Sequence, residues 1–260
     1  MKFSIITVCY NAQDEIEKTI QSVLSQTYIE YEYIIVDGKS TDHTLAIIEK
    51  YAQVNDRIRF ISEADSGLYH AMNKGIGLAK GDYIQFLNAG DFFVDVNVLS
   101  RVSAYTNMCA SDVLFGNIIY QYRSGKTKKR VYKQSCAKAL YYLTGDCINH
   151  QAMFASRSCF DNCLFDYENY RICADREWMM RLCKKHVDFN AIGETIVQYS
   201  LSPDSISVKN KALRKKEEAE CIKKHFPLGY PIYLIFEFFR SNKRLKKVLH
   251  SIYKKLYITD

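Results

Sequence analysis

Only three prolines and eleven glycines occur in 260 residues, which excludes collagen-like repeats and low-complexity coil. No stretch approaches the roughly 20 apolar residues that cross a bilayer. The longest candidate, YPIYLIFEFF at 230–239, is far shorter and contains Glu237. The N-terminal MKFSIITVCYNAQDE meets charge too soon for a signal peptide. The nine cysteines form no CxxC pair and no Cys/His spacing that suits zinc, so buried, reduced thiols in a cytoplasmic protein are expected. The turn after the first apolar run, Cys9 to Asp14, has no glycine, which removes a dinucleotide-binding GxGxxG. Neither GxxxxGK[ST] nor GxSxG is present. A nucleotidyltransferase would be expected to carry a glycine-rich basic loop at that same turn, and none is there.

What is present reads as ordinary globular protein, 48% hydrophobic and 25% charged. The net charge of +7 is uneven: residues 209–260 hold 14 Lys/Arg against 5 Asp/Glu, so the body is near neutral and the tail is basic. The expected division is therefore 1–208 as the main domain, in two halves at 1–95 and 96–208. Residues 209–260 are expected as a basic, amphipathic helical tail.

The first hundred residues alternate between strand and helix. SIITVCY at 4–10 is a short β-forming run, and Ile16, Ile20, Val23 and Leu24 then share a helical face. YEYIIVDG at 31–38 is a second strand, followed by a helix carrying Leu45, Ile48 and Ala52 that Thr41 or Asp42 can cap. IRFIS, a helix at 68–79 and a strand at 83–87 complete this half. The second half reads as a strand at 112–122, a basic turn at 124–129, helices at 137–143, 174–185 and 212–225, and one or two strands at 187–199. Near-continuous apolar strands separated by helices predict a doubly wound, mainly parallel α/β sheet with helices on both faces. Ligands of such sheets bind beyond the carboxyl ends of the strands.

Those ends carry Tyr10 and Asn11, then Asp37, Gly38, Ser40 and Asp42, then Glu63, Asp65, Ser66 and Gly67, then Asn88-Ala89-Gly90-Asp91. Carboxylates and amides suit a nucleoside together with a divalent cation better than a bare anion. A cation can neutralise the charge that grows on a diphosphate leaving group. An Asp can accept from ribose hydroxyls or a base edge.

The order and spacing of SIITVCYNAQDEIEKTIQSVLSQTY, YIIVDGKSTDHT and EADSGLYHAMNKGIGLAKGDYIQFLNAGD resemble glycosyltransferase family 2, closely over about the first 95 residues. The likeness continues more loosely through INHQAMF and ADREWMMRL. It implies a GT-A fold and an enzyme that inverts the anomeric centre. By resemblance, Thr7, Tyr10 and Asn11 line the base pocket, and Asp37 contacts base or ribose. Asp65 and Gly67 border the nucleotide, and Asn88 to Asp91 stand at the DxD-type metal motif. Asp91 is there the expected ligand of Mn2+ or Mg2+, with Asn88 beside it. Asp175 stands at the general base. His70, His150 and Gln151 fall to the donor-sugar or acceptor pocket. Two departures stand out: GLYHAMNKG places His70 where the family often has an acid, and NAGD is poorer in carboxylate than many family motifs.

The implied activity is transfer, with inversion, from a nucleoside-diphosphate sugar, with uracil the expected base. The acceptor would be a glycan or a lipid-linked saccharide in surface polysaccharide biosynthesis. The aromatic, basic tail suits an anionic membrane surface on the cytoplasmic face of the inner membrane. No module for nucleic acid accompanies the basic charge. The alternative is a catalytically silent sugar-nucleotide binder.

Overall fold

The computed structural model describes residues 2–109, 111–137, 139–144, 146–201 and 206–242. Strand β1 (Phe3–Cys9) is buried at every position, as is β2 (Tyr31–Asp37). Their content, rich in Ile, Val, Phe and Tyr, requires cover on both faces. Helix α1 (Ile16–Leu24) supplies part of it through Ile16, Ile20 and Val23, spaced four and three residues apart. Helix α2 (Thr44–Ala52) follows; the Asp42 carboxylate accepts from the Thr44 N–H at 2.9 Å. Strand β3 (Ile58–Ser62), helix α3 (Leu68–Leu78) and strand β4 (Tyr83–Phe86) complete the first half.

The second half contains β5 (Phe92–Phe93), α4 (Val98–Met108), β6 (Val113–Tyr122), β7 (Thr127–Arg130), α5 (Ala139–Leu143), β8 (Met153–Ser156), α6 (Ala174–Lys184), β9 (Phe189–Leu201), α7 (Ile206–Lys209), α8 (Lys211–His225) and α9 (Tyr230–Ser241). The sheet runs β3-β2-β1-β4-β8-β6-β9-β5, with β7 paired to β6. Strands β1 to β4 are parallel to one another, as the alternation predicts. Beyond β4 the sheet is mixed rather than parallel: β8 is antiparallel to β4 and β6, β6 is parallel to β9, and β5 and β7 are antiparallel. The order reverses at β1, with β2 on one side and β4 on the other. The β1/β4 crevice is thus the switch point where such sheets bind ligands.

Helix α6 is seated by Trp178, whose indole stacks on Phe160 at 4.8 Å. Its N-terminal end is gripped by α8: the Glu217 carboxylate accepts from the N–H groups of Arg171, Ile172 and Cys173. Arg176 pairs with Glu218, and the His225 ring meets Glu177 at 2.8 Å. Division at residue 208 therefore cuts through the body, because α8 is packed into it. The exposed tail begins near α9, and residues 243–260 of the expected basic segment lie outside the described residues. None of the nine cysteines is in a disulfide, and six of them are buried.

Candidate functional site

The loops after β1, β2 and β3 meet around Gly38. A Cβ there would lie 2.6 Å from Asp65 Oδ2 and 3.4 Å from the Tyr10 ring, so only glycine lets the carboxylate and the ring approach so closely. Tyr10 is 62% exposed, an open aromatic platform at the end of β1. Asn11 adopts φ 48°, a left-handed conformation that asparagine tolerates. Its N–H donates to Ser40 Oγ, and its Oδ1 accepts from the Thr41 N–H at 2.8 Å, which ties the first two loops together. Asp65 Oδ1 accepts from the Gly67 N–H, and Gly67 turns the chain into α3 with φ 125°. Tyr10, Gly38 and Asp65 thus form a slot with an aromatic wall and an acidic edge.

Two residues expected in this slot lie beneath it. Thr7 is fully buried; its hydroxyl contacts Tyr33 Oη at 2.9 Å and donates to the Leu87 carbonyl at 2.6 Å. It fastens β1 to its neighbours and does not line a base pocket. Asp37 is also fully buried. Its carboxylate accepts from the Ser40 hydroxyl at 2.5 Å, the Ser40 N–H at 3.0 Å and the Ser62 hydroxyl at 2.6 Å. It holds the floor of the slot, and contact with a nucleotide would require exchanging one of these bonds.

At the other side of the crevice, Asn88, His150 and Asp175 form a chain. The Asn88 Nδ2 faces His150 Nε2 at 3.3 Å, and His150 Nδ1 faces Asp175 Oδ2 at 3.0 Å. A neutral imidazole with its proton on Nδ1 satisfies both contacts, accepting from the amide and donating to the carboxylate. Asp175 Oδ1 lies 2.9 Å from the Tyr69 hydroxyl and accepts from the Arg176 N–H at 2.8 Å. Oδ1 is therefore filled, whereas Oδ2 has a lone pair to spare. Burial alone would raise the Asp175 pKa. The hydrogen bond from His150, with those of the Tyr69 hydroxyl and the Arg176 N–H, outweighs it and holds the carboxyl below its ordinary range. Tyr69 was missed by sequence reasoning, although it stands beside His70 in the same quoted motif.

His70 projects from the first turn of α3. Its Nδ1 accepts from the Ser66 N–H at 3.0 Å, so Nε2 carries the proton, and the ring stacks on Tyr167 at 4.6 Å. Asp91 is turned inward, 3% exposed. Its oxygens accept from Gln151 Nε2 and from the Ser200 N–H, both at 3.2 Å. Burial pushes its pKa up to about 8, against the pull of those two donors. Gln151 is buried as well, and its carbonyl accepts from Gln85. It braces the Asp91 turn and does not face a sugar.

Among the described residues no three His, Cys, Asp or Glu side chains gather as a metal cage. Asp91 is buried, so a cation would reach it only if the surrounding turn opened. Asn88 Oδ1, by contrast, is a buried acceptor with no partner. A hard, neutral oxygen of this kind fits a divalent cation whose other ligands come from phosphates and water. The residues suit a cation shared with a diphosphate, not one enclosed by protein alone.

The sequence profile described as Glycosyl transferase family 2 matches residues 4–161. A PGL/p-HBAD biosynthesis glycosyltransferase of Mycobacterium tuberculosis is 32% identical over 181 residues, spanning 69% of this chain and 68% of that protein. A teichuronic acid biosynthesis glycosyltransferase of Bacillus subtilis, TuaG, is 44% identical over 89 residues, 34% of this chain and 35% of TuaG. Residues 1–349 of S. aureus TarS in complex with UDP-GlcNAc superpose with a TM-score of 0.68 at 19% identity, over 93% of this chain and 74% of that one. The mannosyltransferase PcManGT from Pyrobaculum calidifontis, in complex with GDP-Man and Mn2+, gives 0.64 at 12% identity, over 96% and 79%. These likenesses show a GT-A fold, and the extent of the profile match together with the mycobacterial relative establishes that this chain belongs to glycosyltransferase family 2.

Proposed function

We propose that the enzyme transfers a sugar from a UDP-sugar to a saccharide or lipid-linked saccharide hydroxyl, with inversion, during surface polysaccharide synthesis. One observation carries the reading: Asp175 is an ionised carboxylate braced on three sides, with Oδ2 still able to accept a proton, across the crevice from the Tyr10–Gly38–Asp65 slot. The base would lie in that slot, with Asp37 and Asn11 fixing its floor and edge. The diphosphate would run toward Asn88 and the first turn of α3, where His70 presents an N–H. A Mn2+ or Mg2+ ion, when bound between the phosphates and the Asn88–Asp91 turn, would neutralise charge on the leaving group.

The acceptor hydroxyl gives its proton to Asp175 Oδ2. Its oxygen bonds to the anomeric carbon as the bond to the diphosphate oxygen breaks, and that electron pair leaves with the nucleoside diphosphate. Attack from the face opposite the leaving group inverts configuration. TarS with UDP-GlcNAc supports uracil as the base, and TuaG supports a surface polymer as the destination.

No helix among the described residues is long and apolar enough to cross a membrane. Leu228, Ile232, Leu234, Ile235 and Phe238 are nevertheless exposed on and just before α9, ahead of a basic segment. This face would rest on an anionic membrane at the cytoplasmic side. Loss of vesicle binding in I235S/F238S, with α8 left in place, tests it.

Release of nucleoside diphosphate from a panel of nucleotide sugars, with and without Mn2+, tests the reading as a whole. Turnover of a UDP-sugar supports it. Tight nucleotide binding with no release under any condition favours the silent binder, which has no use for a braced Asp175.

A further inference from the structure

The β6–β7 hairpin is the most basic exposed element of the described fold. Residues 123–130, RSGKTKKR, contain five Lys/Arg and no acid. Arg130 turns inward, with one guanidinium N–H donating to Tyr120 Oη at 3.2 Å and another to Tyr141 Oη at 2.7 Å. Arg123, Lys126, Lys128 and Lys129 are exposed. Lysine on an edge strand discourages further strand pairing, and that alone accounts for some charge here. It does not account for where the charge leads.

Lys128 pairs directly with Tyr120 on β6, and Tyr120 pairs with Tyr199 on β9. Directly paired residues share a sheet face, so Lys128, Tyr120 and Tyr199 form one row across three strands, spaced about 5 Å apart. The two tyrosine rings meet edge to face at 5.8 Å. At its inner end the row reaches the site: Tyr199 lies in the field of both Asp91 and Asp175. The Tyr120 hydroxyl donates to Asn149 Oδ1 at 3.1 Å, and Asn149 immediately precedes His150.

We propose that this row is an acceptor subsite for an anionic saccharide chain, whose sugar rings lie on Tyr199 and Tyr120 while carboxylate or phosphate groups meet the hairpin lysines. The assignment of its inner end as the reacting end rests on the transferase reading of Asp175. The C–H face of a pyranose packs on an aromatic ring, and half-buried tyrosines offer such a face with a fixed orientation. The turn of the hairpin holds Ser124, Gly125 and Thr127, and Tyr122, at its base, is the one exposed large apolar side chain beside it among the described residues. A saccharide therefore fits it better than a lipid surface, for which α9 carries the apolar residues.

The test uses the full chain and two fluorescent probes of equal length, an oligogalacturonate and a neutral maltooligosaccharide, with binding read by anisotropy. The wild type should prefer the acidic probe by about tenfold, the sum expected of a few exposed charge pairs, and the preference should shrink with salt. K126Q/K128Q/K129Q should abolish the preference and leave UDP affinity unchanged. K211Q/K216Q/K223Q removes the same charge from α8 and should preserve the preference. Equal loss in both triples, or no preference in the wild type, overturns the subsite. So does hairpin-dependent pelleting with phosphatidylglycerol vesicles in place of saccharide preference. Absence of nucleotide binding alongside an intact saccharide preference would instead remove the transferase reading and leave the hairpin's role standing.

Discussion

His150 Nδ1 and Asp175 Oδ2 stand 3.0 Å apart, and this contact orients a carboxylate whose other oxygen is filled by the Tyr69 hydroxyl and the Arg176 N–H. The ring is held from its far side by Asn88, so a residue of the β4 end orients the carboxylate proposed as the base. Asparagine places an amide N–H near the position of Nδ1, whereas glutamine places one near Nε2. His150→Gln should lower turnover by about tenfold or more, and His150→Asn should recover much of that loss. Because His150 acts through Asp175, the double variant D175N/H150Q should be no slower than D175N alone. Additive losses in steady-state kinetics would show that His150 acts elsewhere.

Glu217 holds the three N–H groups just ahead of Asp175, from Arg171 to Cys173. It is 3% exposed, so its removal leaves buried donors without an acceptor. Glu217→Ala should cost about 3 kcal/mol of stability in chemical denaturation. It should also lower turnover more than donor affinity, since the displaced helix end carries the proposed base and not the proposed nucleotide slot. An unchanged denaturation midpoint would contradict the clamp.

Asp91 gives a pH dependence of definite sign. Burial raises its folded-state pKa to about 8, above the ordinary carboxylate value. The stability tied to the neutral acid is complete below about pH 4 and is lost as pH rises through about 8. In chelator, the wild type should lose on the order of 4 kcal/mol between pH 5 and pH 8, and Asp91→Asn should flatten that slope. A parallel slope in the variant would place the titrating group elsewhere.

The parallel half of the sheet was legible because β1, β2 and β4 are buried throughout and announce themselves as largely apolar runs between helices with a clear apolar face. The mixed half was not, because β8 is four residues long and β5 two, and their partners are distant in sequence. Strand-end chemistry located the crevice but not the exposure of each side chain. Thr7 and Asp37 have residue types that suit ligand contact, yet each is consumed by neighbours that only the folded sheet brings near. The same holds for α8: its charge pattern reads as a solvated helix, but Glu217, Glu218 and His225 find partners more than 40 residues earlier in the chain. The motif singles out Asp175 as the expected base, but it does not show that Tyr69 and His150 bond its carboxylate or that Asn88 holds the imidazole.

Asp175→Asn tests the central claim most directly when UDP affinity and sugar transfer are measured on the same preparation. The account predicts nucleotide affinity close to that of the wild type, with turnover reduced by a factor on the order of 10²–10⁴. Transfer at a near-normal rate by that variant would contradict it.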